Sequence, residues 1–167
     1  TAKPLLEDLN VIVSGQGGDG SLTVVNVLAD VLRSSGMRVY TERDVLSRIK
    51  GGITAATLRA FAGERLCIGS HIDLLVAFDL AAVKKHAYRL NDRSVVIYDN
   101  SGGGLPDDAG VPEGARMFGV PLSRHAVRTF RRDLYKNSIS FAVIGRLLGL
   151  DDEEMRRAFE RRFSRRI

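Results

Sequence analysis

The stretch that most constrains this chain is an apolar run that stops in a glycine loop and restarts at once as an apolar helical pattern. Val11-Ile12-Val13-Ser14 leads into Gly15-Gln16-Gly17-Gly18-Asp19-Gly20-Ser21, and Leu22, Val24, Val25, Val27, Leu28, Val31 and Leu32 follow. A short continuous apolar run reads as a parallel strand buried on both faces. Gly15-x-Gly17-x-x-Gly20 has the spacing of a dinucleotide fingerprint. Glycines permit positive φ and let backbone N–H groups approach a ligand closely. The helix that follows offers unpaired donors and a partial positive charge, which suit a phosphate.

The rest of the chain continues an α/β rhythm with one interruption. Ser21 is placed to cap a helix running to Ser35, Gly36 to end it, and Met37–Glu42 to form a second strand. Arg43 to Gly52 has no long helical period. Ile53–Phe61 reads as a strand, Gly63-Glu64 as a turn, and Leu66–Ile68 as a return strand closing a β-hairpin. Asp73–Phe78, Ser94–Tyr98 and Arg116–Val120 read as further strands, with a helix over Leu80–Leu90 and a surface loop to about Gly114. The chain is helical after Leu122. Asp151 and Glu154 make a capping box there, and Leu150 and Met155 a hydrophobic staple. The expected fold is α/β: a Rossmann-like three-layer sandwich with a mostly parallel sheet, an inserted β-hairpin and a helical C-terminus. Its 167 residues suit a single domain.

Composition narrows the chemistry. One cysteine, Cys67, excludes an internal disulfide framework and a cysteine-built zinc or iron–sulfur site. Flanked by Leu66 and Ile68, it reads as a buried core thiol. No apolar run approaches a membrane span, and Thr1-Ala2-Lys3-Pro4 lacks the apolar segment of a signal peptide. A cytoplasmic location is expected, with no membrane and no nucleic acid partner. Arg124 to the end carries 12 Lys/Arg against 6 Asp/Glu, so the net charge of +5 is gathered there. That surface suits a phosphorylated ligand, nucleic acid or an acidic partner, or is a solvated helix face.

Several motif readings fail on spacing. Gly18-Asp19-Gly20 opens a thiamine-diphosphate motif, but no asparagine pair follows in Val45–Lys50. A triphosphatase loop needs Lys-Ser/Thr after its last glycine, and Ser21-Leu22 stands there. Glu42 sits where a ribose-binding acid belongs in an NAD(P) or FAD domain, although a hairpin replaces the next βαβ unit. His71, His86 and His125 are scattered, so no catalytic residue and no metal ligand is assigned. Arg48, Lys50, Gly51 and Gly52 form a basic turn able to hold phosphate or carboxylate. A plain β-turn explains their spacing equally well.

Taken together, Gly15-Gln16-Gly17-Gly18-x-Gly20, Arg48-x-Lys50-Gly51-Gly52 and Arg59 resemble the gamma subunit or gamma domain of 2-oxoacid:ferredoxin oxidoreductases. Asp73-Leu74-Leu75 and Asn137, opening a late helix, continue the resemblance, which spans Leu9 to Phe163. Lys50 stands in place of the usual arginine, and Ser47 and Arg48 bring the segment nearer the 2-oxoglutarate and other 2-ketoacid branches. The resemblance implies a complex that decarboxylates a 2-oxoacid oxidatively to acyl-CoA and passes electrons to ferredoxin, or runs in reverse. It implies coenzyme A bound partly here, with thiamine diphosphate, Mg and iron–sulfur clusters on alpha and beta partners. Gly15, Gln16, Gly17, Gly18, Asp19, Gly20, Ser21, Arg48, Lys50, Gly51 and Gly52 are the implied binding residues. The other readings are a nicotinamide or flavin oxidoreductase domain and a non-catalytic binding module.

Overall fold

The computed structural model describes residues 7–44 and 52–164. Arg48, Lys50 and Gly51 lie outside the described residues. The strands are β1 (Asp8–Gln16), β2 (Arg38–Asp44), β3 (Ile53–Phe61), β4 (Leu74–Ala77), β5 (Val95–Asp99) and β6 (Arg116–Val120). They form one sheet in the order β2-β3-β1-β4-β5-β6. Only β3 runs against the others, pairing antiparallel with both β1 and β2. The helices are α1 (Ser21–Ser34), α2 (Leu80–His86), α3 (Leu122–Phe130), α4 (Lys136–Leu148) and α5 (Asp152–Ser164).

β1 is the axis of the fold, and its sequence says why. Val11, Ile12 and Val13 are all fully buried. Val11 and Val13 enter the larger core with α1, α4 and α5, while Ile12 enters the smaller core with Ala82 and Val83 of α2. Burying one such side chain contributes roughly 1.5–3 kcal/mol, which is why the run is unbroken by polar residues. The second helical layer is thin, α2 and one 3-10 turn (Ala87–Arg89). The loop after β5 completes it: Leu105 and Val111 pack onto the smaller core and Ala109 is buried. That loop is therefore partly structural, not a free surface excursion.

α1 closes in a Schellman motif. Gly36 has φ 85°, its N–H bonds Arg33 O, and Met37 N–H reaches back to Leu32 O at 3.1 Å. At the other end of the chain Asp151 Oδ1 accepts from Glu154 N at 2.9 Å, as the capping box requires.

Three expectations need correction. The hairpin is formed by β2 and β3, and Leu66–Ile68 is not a strand. Nine residues of β3 find a partner on β1 and seven on β2, which leaves no edge for a return strand. Cys67 is exposed, not buried: its carbonyl accepts from Arg59 Nη1 at 2.8 Å, which turns the segment outward. Ser21 does not cap α1. The N-cap is Gly20, in the left-handed region with no side-chain hydrogen bond, and Ser21 is buried as the first helical residue.

Candidate functional site

The glycine loop leaves the C-terminal end of β1 beside the end of β4. From β1 the chain crosses through α1 to one side of the sheet, and from β4 it builds outward to the other. Ligands of open α/β sheets bind outside the strand ends at such a divergence. The loop is held by its own aspartate. Asp19 Oδ2 accepts from Gln16 N at 3.0 Å, and Asp19 N donates to Gln16 O at 3.1 Å. This leaves Gln16, Gly17 and Gly18 exposed, with Gly15 and Ser21 buried beneath.

Two of the glycines are sterically required. A Cβ on Gly15 would stand 2.8 Å from Phe78 Cβ and 2.9 Å from Asp19 Oδ2. Gly20, at φ 85°, faces the Asn137 amide at the start of α4, which leaves no room for a side chain. Gly18 has φ 105° and open space around it, while Gly17 meets only Thr54 Cγ2 at 3.8 Å and Gly52 O at 4.0 Å. Gly52, the one residue of the basic turn among the described residues, thus lies near the loop.

A buried lysine that the sequence reading missed secures this arrangement. Lys136 Nζ lies 3.0 Å from Asp19 Oδ1 and 2.7 Å from Asp133 Oδ2, and 5.6 Å from the Phe78 ring centroid. Burial pulls its pKa down, but the hydrogen bonds it donates to Asp133 and Asp19 outweigh this and raise it, so it stays protonated. Asp19's charge is thereby met by Lys136 and by the Gln16 N–H, while Gly17 and Gly18 stand exposed. Lys136 follows Tyr135 in a helical run that carries no local mark of burial. Only the neighbouring Asn137 hinted that this helix start matters.

A second polar chain runs under the loop. Ser14 Oγ donates to Thr54 O at 2.9 Å and lies 3.0 Å from His86 Nε2. Ser14 spends its hydrogen on Thr54, so the network assigns the imidazole hydrogen to Nε2. Burial, with Lys85 and Arg89 nearby, lowers the His86 pKa to about 4, against a weaker opposing pull from Asp44. His86 is a neutral structural group, and Ser14 is fully buried and unreachable by a substrate.

Two residues singled out from sequence lie elsewhere. Arg59 pairs with Asn10, at the opposite end of β1 from the loop. Its guanidinium grips Asp8 by two hydrogen bonds of 2.9 and 2.7 Å, and this contact, strengthened by Arg65, draws the Asp8 carboxyl down to about 2. Glu42 pairs with Thr57 of β3. A whole strand, about 4.8 Å wide, therefore separates it from β1, where a dinucleotide domain keeps its ribose-binding acid on the adjacent strand. It instead lines a groove of about 310 Å³ with Asp44, Thr57, Lys85, His86 and Arg89.

The family model described as pyruvate ferredoxin/flavodoxin oxidoreductase matches residues 10–167. The chain belongs to that family. It is 24% identical over 156 residues to 2-oxoglutarate synthase subunit KorC of Archaeoglobus fulgidus, covering 93% of this chain and 79% of that one. It is 30% identical over 93 residues to 2-oxoacid:ferredoxin oxidoreductase subunit alpha of a Sulfolobus species, covering 56% of this chain and 14% of the other.

Among solved structures, the fold matches 2-oxoglutarate:ferredoxin oxidoreductase from Magnetococcus marinus, solved with 2-oxoglutarate, coenzyme A and succinyl-CoA bound. The TM-score is 0.86 at 24% identity, over 97% of this chain and 28% of that chain. The gamma subunit of keto/oxoacid ferredoxin oxidoreductase from Geobacter sulfurreducens matches with TM-score 0.76 at 20% identity, over 94% of this chain and 86% of it. This pyruvate ferredoxin/flavodoxin oxidoreductase family member therefore spans most of the separate subunits and only a fraction of the longer chains. The gamma-type reading of the sequence is borne out at the level of family and fold.

Proposed function

We propose that this chain is the gamma component of a 2-oxoacid:ferredoxin oxidoreductase, acting in the cytoplasm beside alpha and beta partners as one domain of that complex. Its task is to hold part of coenzyme A and to complete the assembly. Thiamine diphosphate, Mg and iron–sulfur clusters belong to the partners, and electrons leave through them to ferredoxin. The 2-oxoglutarate and succinyl-CoA bound in the Magnetococcus enzyme, together with the KorC relative, favour 2-oxoglutarate among 2-oxoacids.

The observation that carries the reading is the exposed pair Gly17 and Gly18 before the N-terminus of α1, which no side chain caps, with the Asp19 charge held by Lys136. That helix start and its dipole suit the phosphate end of coenzyme A, a polyanion. Gly51 and Gly52 would let the basic turn approach, and Arg48 and Lys50 would add the cations, Arg48 by a bidentate fork. Coenzyme A supplies the thiol that takes up the acyl group. This chain's contribution is positioning the coenzyme A thiol.

Titration of coenzyme A against the assembled complex tests this. Arg48→Ala and Lys50→Ala should each weaken binding about tenfold, as expected for losing one charge-assisted contact worth roughly 1.5 kcal/mol. Unchanged affinity in both would remove the basic turn from the site.

A further inference from the structure

The stretch from α3 to the start of α4 is poorly covered by the rest of the chain. α3 buries only Leu122 and Ala126, and it leaves Val127 at 48% and Phe130 at 49% exposure. The 3-10 turn Asp133–Tyr135 adds Leu134 at 56% and Tyr135 at 42%. The Phe130 and Tyr135 rings lie 5.1 Å apart between centroids, so these side chains form a joined patch. Large apolar groups gathered in this way, and not scattered singly, mark a surface that another macromolecule covers.

Charge indicates what kind. Leu122–Tyr135 carries Arg124, Arg128, Arg131 and Arg132 against one acid, Asp133. Asp133 is turned toward Lys136. Among the described residues none of the four arginines forms an ion pair. Helix α5 is the internal contrast: there Arg156 pairs with Glu153 and Glu160, and Arg157 with Glu153. The first turns of α5 thus neutralise their own arginines. Among the described residues Arg128, Arg131 and Arg132 make no such pair, and the Arg124 side chain donates only to the Ser101 carbonyl at 3.2 Å.

We propose that the α3 face docks a protein surface with an apolar centre ringed by carboxylates, carried by another subunit of the oxidoreductase; this rests on the gamma-component reading. Aromatic and arginine side chains are the ones enriched where interfaces are buried. Phe130 and Tyr135 could take a stacked base, but the aliphatic Val127 and Leu134 beside them cannot, whereas a protein core accepts all four. The patch also ends at Tyr135, one residue before the lysine that holds the glycine loop. A subunit seated there stands next to the coenzyme A site, where its chemistry is needed.

The test uses the complex co-expressed from its own subunits, with an affinity tag on this chain. Phe130→Ser and the double variant Arg128→Glu/Arg132→Glu should each cut the retained partner subunit at least about tenfold at equal salt, the scale of an interface anchor or a reversed charge pair. Tyr88→Ala, 83% exposed beside α2 on the other face, should retain wild-type amounts. Melting curves of the isolated variants separate lost docking from lost folding, and the exposed arginine pair decides if Phe130→Ser melts early. Equal retention by both α3 variants overturns the proposal. So does unchanged retention accompanied by lost binding of an oligonucleotide, which would give the face to nucleic acid. A wild-type chain that retains no subunit at all overturns the gamma-component reading itself.

Discussion

Gly20 answers two demands at once, a left-handed backbone and the nearness of the Asn137 amide. Gly20→Ala is expected to cost about 2–5 kcal/mol, the sum of a strained φ and an overpacked contact. Gly17→Ala meets only ordinary contacts and should shift stability by less than about 0.5 kcal/mol. Thermal denaturation of the pair measures the difference. His86 gives a pH signature. Its folded pKa of about 4 lies below the unfolded value of 6.5, so only the unfolded chain takes up a proton between them. Stability from the neutral imidazole is whole above pH 6.5 and is lost as pH falls toward 4, by up to roughly 3 kcal/mol. His86→Asn should flatten that segment of the stability curve while leaving the further loss below pH 4, where Asp8 protonates. A wild-type curve flat from 6.5 to 4 would contradict this. The glycines were legible in the sequence because their spacing is local, although the groups that exclude a side chain at Gly15 and Gly20, Phe78 and Asn137, come from elsewhere in the chain. Lys136 was not, since its burial is decided by Asp19, which comes from the other end of the chain.

At the scale of elements, the strands were legible where both faces are covered, as at β1, and the pairing of β2 with β3 was not. Sequence pattern marked Ile53–Phe61 as a strand but says nothing of which neighbour it takes, and Gly63-Glu64 suggested the wrong one. The helical layer shows a similar dependence on distant contacts. Gly145 of α4 lies so close to the Met155 thioether of α5 that a side chain there would displace it. Met155 is buried, at 7% exposure, so the flexible end of its side chain would have to shift within the core. Gly145→Ala is expected to cost about 1–3 kcal/mol, and shortening the partner in Gly145→Ala/Met155→Ala should give a double-mutant coupling of at least about 0.5 kcal/mol. Additive losses in chemical denaturation would mean that α4 and α5 do not meet in this way.

For the whole molecule, family and architecture could be read because the glycine loop, the basic turn and Arg59 recur at recognisable spacing. Their arrangement in space could not. Arg59 is at the far end of the sheet from the loop, bound to Asp8, and Glu42 is moved outward by the strand that separates β2 from β1. Both displacements follow from the single reversed strand. That strand also decides how such a molecule comes into being. A fragment ending at residue 44 holds β1, α1 and β2, but its two strands stand roughly 10 Å apart, twice the pairing distance, with nothing between them. It should stay unstructured by circular dichroism, where a dinucleotide half-domain would have adjacent strands to pair. On a ribosome adding about 5–20 residues per second, the first βαβ unit therefore waits on the order of a second for its missing middle. Its apolar strand β1 is open to other partners throughout that interval.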